Sequence, residues 1–172
     1  MKKVYTGKAD PTPLGPVWVA LSDDGLLAVE IGSTQDEFDA YLHQMRFSRP
    51  ASQVVYDPDR TAGATRQIRE YLAGERQEFD LVIDWSAMTA FQEAALRLTL
   101  ATPFGQVTTY GEIARQLGKP LAARAVGRAE ATNPMPLIIP CHRVLGTDGG
   151  LHGYGAPGGV KTKAWLLELE GR

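Results

Sequence analysis

The spacing of apolar residues changes near Trp85, and that change limits what the chain can build. Upstream, "GPVWVALSDDGLLAVEIG" holds two apolar runs split by Asp23-Asp24-Gly25, a turn composition that predicts a β-hairpin. Downstream, apolar residues recur three and four apart, which predicts helices. A mixed α/β half and a helical half within 172 residues fit two small domains, over 1–86 and 87–172. With 44% hydrophobic residues the chain can bury a proper core.

In the first half, Phe38, Leu42 and Met45 stand at helical spacing. So do Ile68, Tyr71 and Leu72, in a helix that should stop at Gly74. "EFDLVIDW" alternates as a strand would, with Phe79, Leu81 and Ile83 on one side. None of these segments carries a catalytic constellation, so the first half reads as a scaffold.

The second half opens its helices with repeated signals. Thr89 with Gln92, and Thr109 with Glu112, have the spacing of a capping box. The helix after Thr109 should bury Ile113, Ala114 and Leu117 and end at Gly118, with Lys119 and Pro120 opening the next. Two helices joined by so short a turn predict a helix-turn-helix. In the second of them, Leu121, Ala122, Ala125, Val126 and Ala129 should face inward. Arg124 and Arg128 share the other face with Ala123, Gly127 and Ala131. A helical glycine costs about 1 kcal/mol relative to alanine, so the smooth face should serve a close approach. A nucleic-acid groove, with arginines reaching phosphates or bases, and close packing on the first domain both account for it.

Net charge is −2, but it is unevenly spread: −5 over residues 1–90 and +3 over 91–172. From Arg115 to Arg143 five basic residues face one acid, Glu130. Such a half can present a positive field to an anionic partner, although scattered surface charge would look the same. No apolar run is long enough to cross a membrane, and "MKKVYTGKADPTP" lacks the apolar stretch of a signal peptide. The single cysteine has no disulfide partner within the chain, and no CxxC or HxxxH spacing supports zinc. These features read as a soluble protein of a reducing cytoplasm, with no metal.

That cysteine lies in "IIPCHRVLG", directly before His142. Free cysteines are usually buried hydrophobes. A histidine that removes the thiol proton would instead make a nucleophilic thiolate. Neighbours on a strand point to opposite faces, so Cys141 and His142 can cooperate only in a turn or through a bridging water. His142 would need an orienting acid, and Glu168 and Glu170 are the downstream candidates.

"NPMPLIIPCHRVLG", preceded by "FGQVTTYGEIARQLG" and "AARAVG", resembles the O6-alkylguanine-DNA alkyltransferases, the methylated-DNA–protein-cysteine methyltransferases. "TPLGPVWVA", "DGLLAVEIG" and "REYLAGE" extend the likeness, more loosely, to the first half. The resemblance implies a small ribonuclease-H-like α/β domain followed by a mostly helical, winged-helix-like domain with a helix-turn-helix. It implies irreversible transfer of the alkyl group from O6-alkylguanine in duplex DNA to Cys141, once per molecule, without a cofactor. O4-alkylthymine stays open as a second substrate, and the partner is DNA bound through its minor groove. By the same resemblance His142 is the base acting through water and Glu170 its orienting carboxylate. Asn133 ties the turn before an active-site strand. Tyr110 helps extrude the nucleotide, and Arg124 fills the gap it leaves. Ala123 and Gly127 let the helix sit deep, with Arg128 beside them. The carbonyls of Cys141 and Val144 and the amide of Gly155, after Tyr154, read the guanine edge.

The chain departs from the family's pattern at Ala95-Leu96, where Val and Trp are usual, and through two extra residues near Ala156-Pro157. Two other readings compete. A thiol hydrolase would normally separate its nucleophile and base in sequence, and would leave the arginine helix unexplained. A non-catalytic lesion binder or helix-turn-helix regulator would not need Cys141.

Overall fold

The structure, a computed structural model, describes residues 3–45 and 53–172. The chain divides into two compact units, residues 1–87 and 88–172. In the first, β1 (Lys3–Ala9), β2 (Val17–Ser22), β3 (Gly25–Ile31) and β4 (Gln53–Tyr56) form a sheet in the order β3-β2-β1-β4. The expected hairpin is β2–β3, closing with Ser22 opposite Gly25; β4 runs parallel to β1. Gly25 sits at φ +139, and a Cβ there would lie 2.6 Å from the Val82 carbonyl oxygen. Only glycine lets the segment around Val82 lie against this turn.

Four consecutive residues of β2, Val17 to Ala20, are buried, as in a strand covered on both faces. One cover is α1 (Gln35–Gln44), whose Phe38 and Leu42 cluster with Trp18, Ala20 and Leu27. The other is α2 (Pro58–Leu72), packed along β1 and β2 with its Thr61 where a side chain at Gly7 would be. This helix stops at Gly74, φ +76, where the amides of Gly74 and Glu75 bond back to Tyr71 and Glu70.

Residues 79–83 do not form the expected strand. Phe79, Leu81 and Ile83 are half-buried between exposed Asp80 and Val82, so the alternation is present. The ladder is reduced to one bridge, between Leu26 and Ile83. The side-chain amide of Gln67 takes both backbone groups of Asp80, at 3.1 and 2.8 Å, in place of a neighbouring strand.

The second unit contains α3 (Ala90–Leu100), α4 (Tyr110–Gln116), α5 (Ala123–Ala131) and α6 (Val160–Leu169). Two short strands, β5 (Thr108–Thr109) and β6 (Val144–Leu145), pair in parallel. Ala95, Ile113, Ala114, Val126, Ala129 and Val144 make its core. Thr89 and Thr109 cap α3 and α4 through their hydroxyls. The reciprocal halves of the expected boxes are diverted: Gln92 donates to Thr132, and the Glu112 carboxylate binds Arg115 and Gln116.

After α4, Gly118 at φ +70 permits paired closing bonds, Gly118 to Arg115 and Lys119 to Ala114. Lys119 to Ala122 then form a turn, so α5 begins at Ala123 and not at Lys119-Pro120. This later start changes which face is buried. Leu121 precedes the helix and is 98% exposed, and Ala125 is exposed as well. The inward residues are Val126, Ala129 and Glu130, flanked by half-buried Ala122, Ala123 and Gly127. Arg124, Ala125 and Arg128 face outward.

Candidate active site

The turn after α5 is fixed by one side chain. Asn133 accepts a hydrogen bond from the Met135 amide at 2.9 Å and donates to the Ile139 carbonyl at 2.9 Å. Between these two points Leu137 adopts φ +74 with its side chain buried. A non-glycine residue in that conformation costs about 1–3 kcal/mol, so it needs the clamp that Asn133 supplies. The expected strand before Cys141 is absent. Pro134, Pro136 and Pro140 cannot donate to a ladder, and the buried segment coils into a single 3-10 turn, Cys141–Arg143. The turn removes the opposite-facing geometry that a strand would impose on Cys141 and His142.

His142 and Glu170 are both shielded from solvent, with Nε2 and Oε1 2.9 Å apart. Glu170 also accepts from Arg143, whose Nε and Nη2 approach its two oxygens at 2.9 and 2.8 Å, and from the Gly105 amide at 3.1 Å. Arg143 is anchored in turn by Nη1 donating to the Thr102 carbonyl at 2.6 Å. The carboxylate is therefore already balanced by a guanidinium. Burial pushes the His142 pKa down, against the raising effect of Glu170. The ring is neutral, and with Nε2 donating to Glu170 the lone pair lies on Nδ1.

Cys141 borders a cavity of about 260 Å³ that also meets Tyr110, Gly127, Glu130, Tyr154, Gly155 and Lys163. Burial, then the Glu130 charge, push the thiol up to about 12, so the resting group is a thiol and not a thiolate. Lys163 donates to the Val144 carbonyl at 2.7 Å. One of the carbonyls expected to read guanine thus already holds a partner. Tyr110 is half-buried and donates to the His152 carbonyl at 3.2 Å. Gly127 faces the Tyr110 ring, so it belongs to the cavity wall rather than to the outer arginine face. Arg124 and Arg128 border a separate groove with Phe91, Gln92 and Thr132. Ala156 and Pro157 lie outside the cavity lining; they belong to the turn that leads into α6, where Thr162 donates to the Pro157 carbonyl.

Among the described residues, no group of three or more His, Cys, Asp or Glu side chains could hold a metal ion, and no helix is long and apolar enough to cross a membrane.

Residues 90–172 match the model of the 6-O-methylguanine DNA methyltransferase DNA binding domain, and residues 4–85 that of the same family's ribonuclease-like domain. The chain belongs to the 6-O-methylguanine DNA methyltransferase family. A methylated-DNA–protein-cysteine methyltransferase of Shigella flexneri is 36% identical over 160 residues, 93% of this chain and 92% of its own. One from Mycobacterium tuberculosis H37Rv is 49% identical over 114 residues, 66% of this chain and 67% of its own. The crystal structure of Mycobacterium tuberculosis OGT in complex with DNA superposes with a TM-score of 0.76 at 38% identity, covering 98% of this chain and 92% of that one.

Three residues of this methyltransferase's site escaped the sequence reading: Glu130, Arg143 and Lys163. A signal for two of them was present. Thr162, Lys163, Leu166, Leu167 and Glu170 recur at the spacing of a single helix face, and all are buried. Charged residues on an otherwise core-facing stripe point to a buried polar site. Glu130, next to Ala129 and four residues after Val126, has the same signature.

Proposed function

We propose that this protein repairs DNA by direct reversal, moving the alkyl group of O6-alkylguanine to Cys141 in one irreversible turnover. The observation that carries this reading is a sole cysteine on the cavity, joined in one turn to a neutral histidine whose other nitrogen is held by a buried carboxylate. A thiol at about 12 cannot act alone at neutral pH, so His142 takes its proton through a water as sulfur attacks. The S–C bond forms as the C–O6 bond breaks, and guanine leaves with the electron pair and takes up a proton. Glu170 stabilises the imidazolium, and Asn133 keeps the turn in place.

The target carbon is out of reach inside a duplex, so the base must leave the stack at a cost of roughly a few kcal/mol. Tyr110 and Gly127 border the cavity that would receive it, next to Tyr154 and Gly155. Arg124 would occupy the vacated stack, and Arg128 would contact phosphate. In this reading residues 1–86 form a ribonuclease-H-like scaffold. Residues 87–172 form a winged-helix-like domain whose helix-turn-helix, α4 and α5, enters the minor groove. The reducing cytoplasm suits a protein that depends on a free thiol.

With duplex containing O6-methylguanine in excess, restored guanine should plateau at one per protein molecule. Continued turnover would overturn the proposal.

A further inference from the structure

Glu130 is a buried carboxyl with no role in the scheme above. It is 6% exposed, and it borders the cavity that holds Cys141. Thr99 of α3 donates to its Oε1 at 2.5 Å. Its Oε2 is buried with no hydrogen-bond partner among the described residues. A buried, half-satisfied carboxylate is costly when charged, and burial pushes this group up to about 7.

The elements packed around it supply few charges. Tyr110 comes from α4, Cys141 from the 3-10 turn and Lys163 from α6, with His152 and Tyr154 on the loop side. Lys163 is the cation whose charge favours both the ionised carboxyl and the thiolate. One cation can balance one anion here. A thiolate formed beside an ionised Glu130 would leave two negative charges in a cavity of about 260 Å³.

We propose that Glu130 is a positioning residue that sets the charge state in which the pocket reacts, Cys141 giving up its proton only while the Glu130 carboxyl still holds its own. The proposal rests on the alkyl-acceptor reading for its effect on repair, but not for its effect on the thiol. With the His142 ring neutral and the thiol proton released to solvent, the reactive form, thiolate with neutral Glu130, is a tautomer of thiol with ionised Glu130. Its population rises tenfold per pH unit while Glu130 is protonated, then becomes constant once Glu130 ionises.

The test is the rate at which iodoacetamide alkylates Cys141 from pH 6 to 9, for the wild type, Glu130→Gln and Glu130→Met. No other cysteine competes. The wild-type rate should climb and then flatten above neutrality, while both variants keep climbing. The variant-to-wild-type ratio should grow about tenfold across the range for each pK unit of coupling between the two groups. His142 titrates in all three proteins, and the Glu130 charge acts on Lys163 as well as on the thiol, so the ratio reads the whole effect of the Glu130 charge on the pocket. A ratio independent of pH in both variants would overturn the proposal; if one variant does not fold, the other decides. Methyl transfer from O6-methylguanine duplex, measured alongside, separates the claims. A pH-dependent iodoacetamide ratio without transfer would sink the repair reading alone, and transfer with a flat ratio would sink this one alone.

Discussion

His142 and Glu170 are separated by 28 positions in the chain, yet their side chains meet at 2.9 Å with neither reaching solvent. The contact joins the turn that carries the thiol to the end of α6. Because Arg143 grips the same carboxylate, the contact orients the imidazole without forcing a charge on it.

Glu170→Ala leaves the Arg143 guanidinium buried without its carboxylate, and removing one partner of such a pair costs about 3–5 kcal/mol. Urea unfolding should register that loss, and single-turnover transfer should fall with it. Adding Arg143→Met to Glu170→Leu removes both charges and should recover much of the stability but not the transfer. Equal recovery of both would show that Glu170 is structural only.

Asn133→Ala deletes both bonds that span the Leu137 turn. Its expected cost is about 1–3 kcal/mol, measured by thermal or urea unfolding. Transfer should slow even where the protein stays folded, because the Cys141 turn loses its clamp. An unchanged rate at saturating DNA would argue that the turn holds itself.

Arg124 and Arg128 both face outward from α5, but distinct roles are proposed for them. If Arg128 contacts phosphate, Arg128→Ala should weaken DNA binding uniformly and reduce the salt dependence by about one counterion. Arg124→Ala should weaken binding and also slow transfer at saturating DNA, since nothing then replaces the extruded base. Titrations at several salt concentrations, with single-turnover rates, distinguish the two.

Stability should fall as pH rises from about 4.5 to about 7 and level off above it. Glu130 has a folded pKa of about 7 against an ordinary 4.5, so between these values the folded state holds the extra proton. A raised folded pKa means the contribution is complete below about 4.5 and is lost as pH climbs through 7. The loss is on the order of 3 kcal/mol at most. Glu130→Gln should flatten this part of the stability profile, read by urea unfolding at pH 5, 6, 7 and 8. A parallel profile in the variant would contradict it.

The sequence shows some of this architecture directly and hides the rest for physical reasons. The β2–β3 hairpin, the stops at Gly74 and Gly118, and the threonine caps rest on local chemistry, so short segments reveal them. The strand at 79–83 fails because Gln67, a distant side chain, supplies its partners. The buried face of α5 differs from the one its apolar spacing predicts because Leu121 lies in the turn before the helix rather than on it. Cys141 and His142 stood out by adjacency, and Glu170 by resemblance. Arg143, Glu130 and Lys163 acquire meaning only when α5, α6 and the 3-10 turn pack together, because surface and buried charges look alike in a sequence.

The most direct test of the account is the mass of the Cys141 peptide after reaction with duplex DNA carrying O6-methylguanine. The account predicts one added methyl group on Cys141, with an equal amount of guanine restored. Tight DNA binding with no added mass on that peptide, or a methyl group found elsewhere, would contradict it.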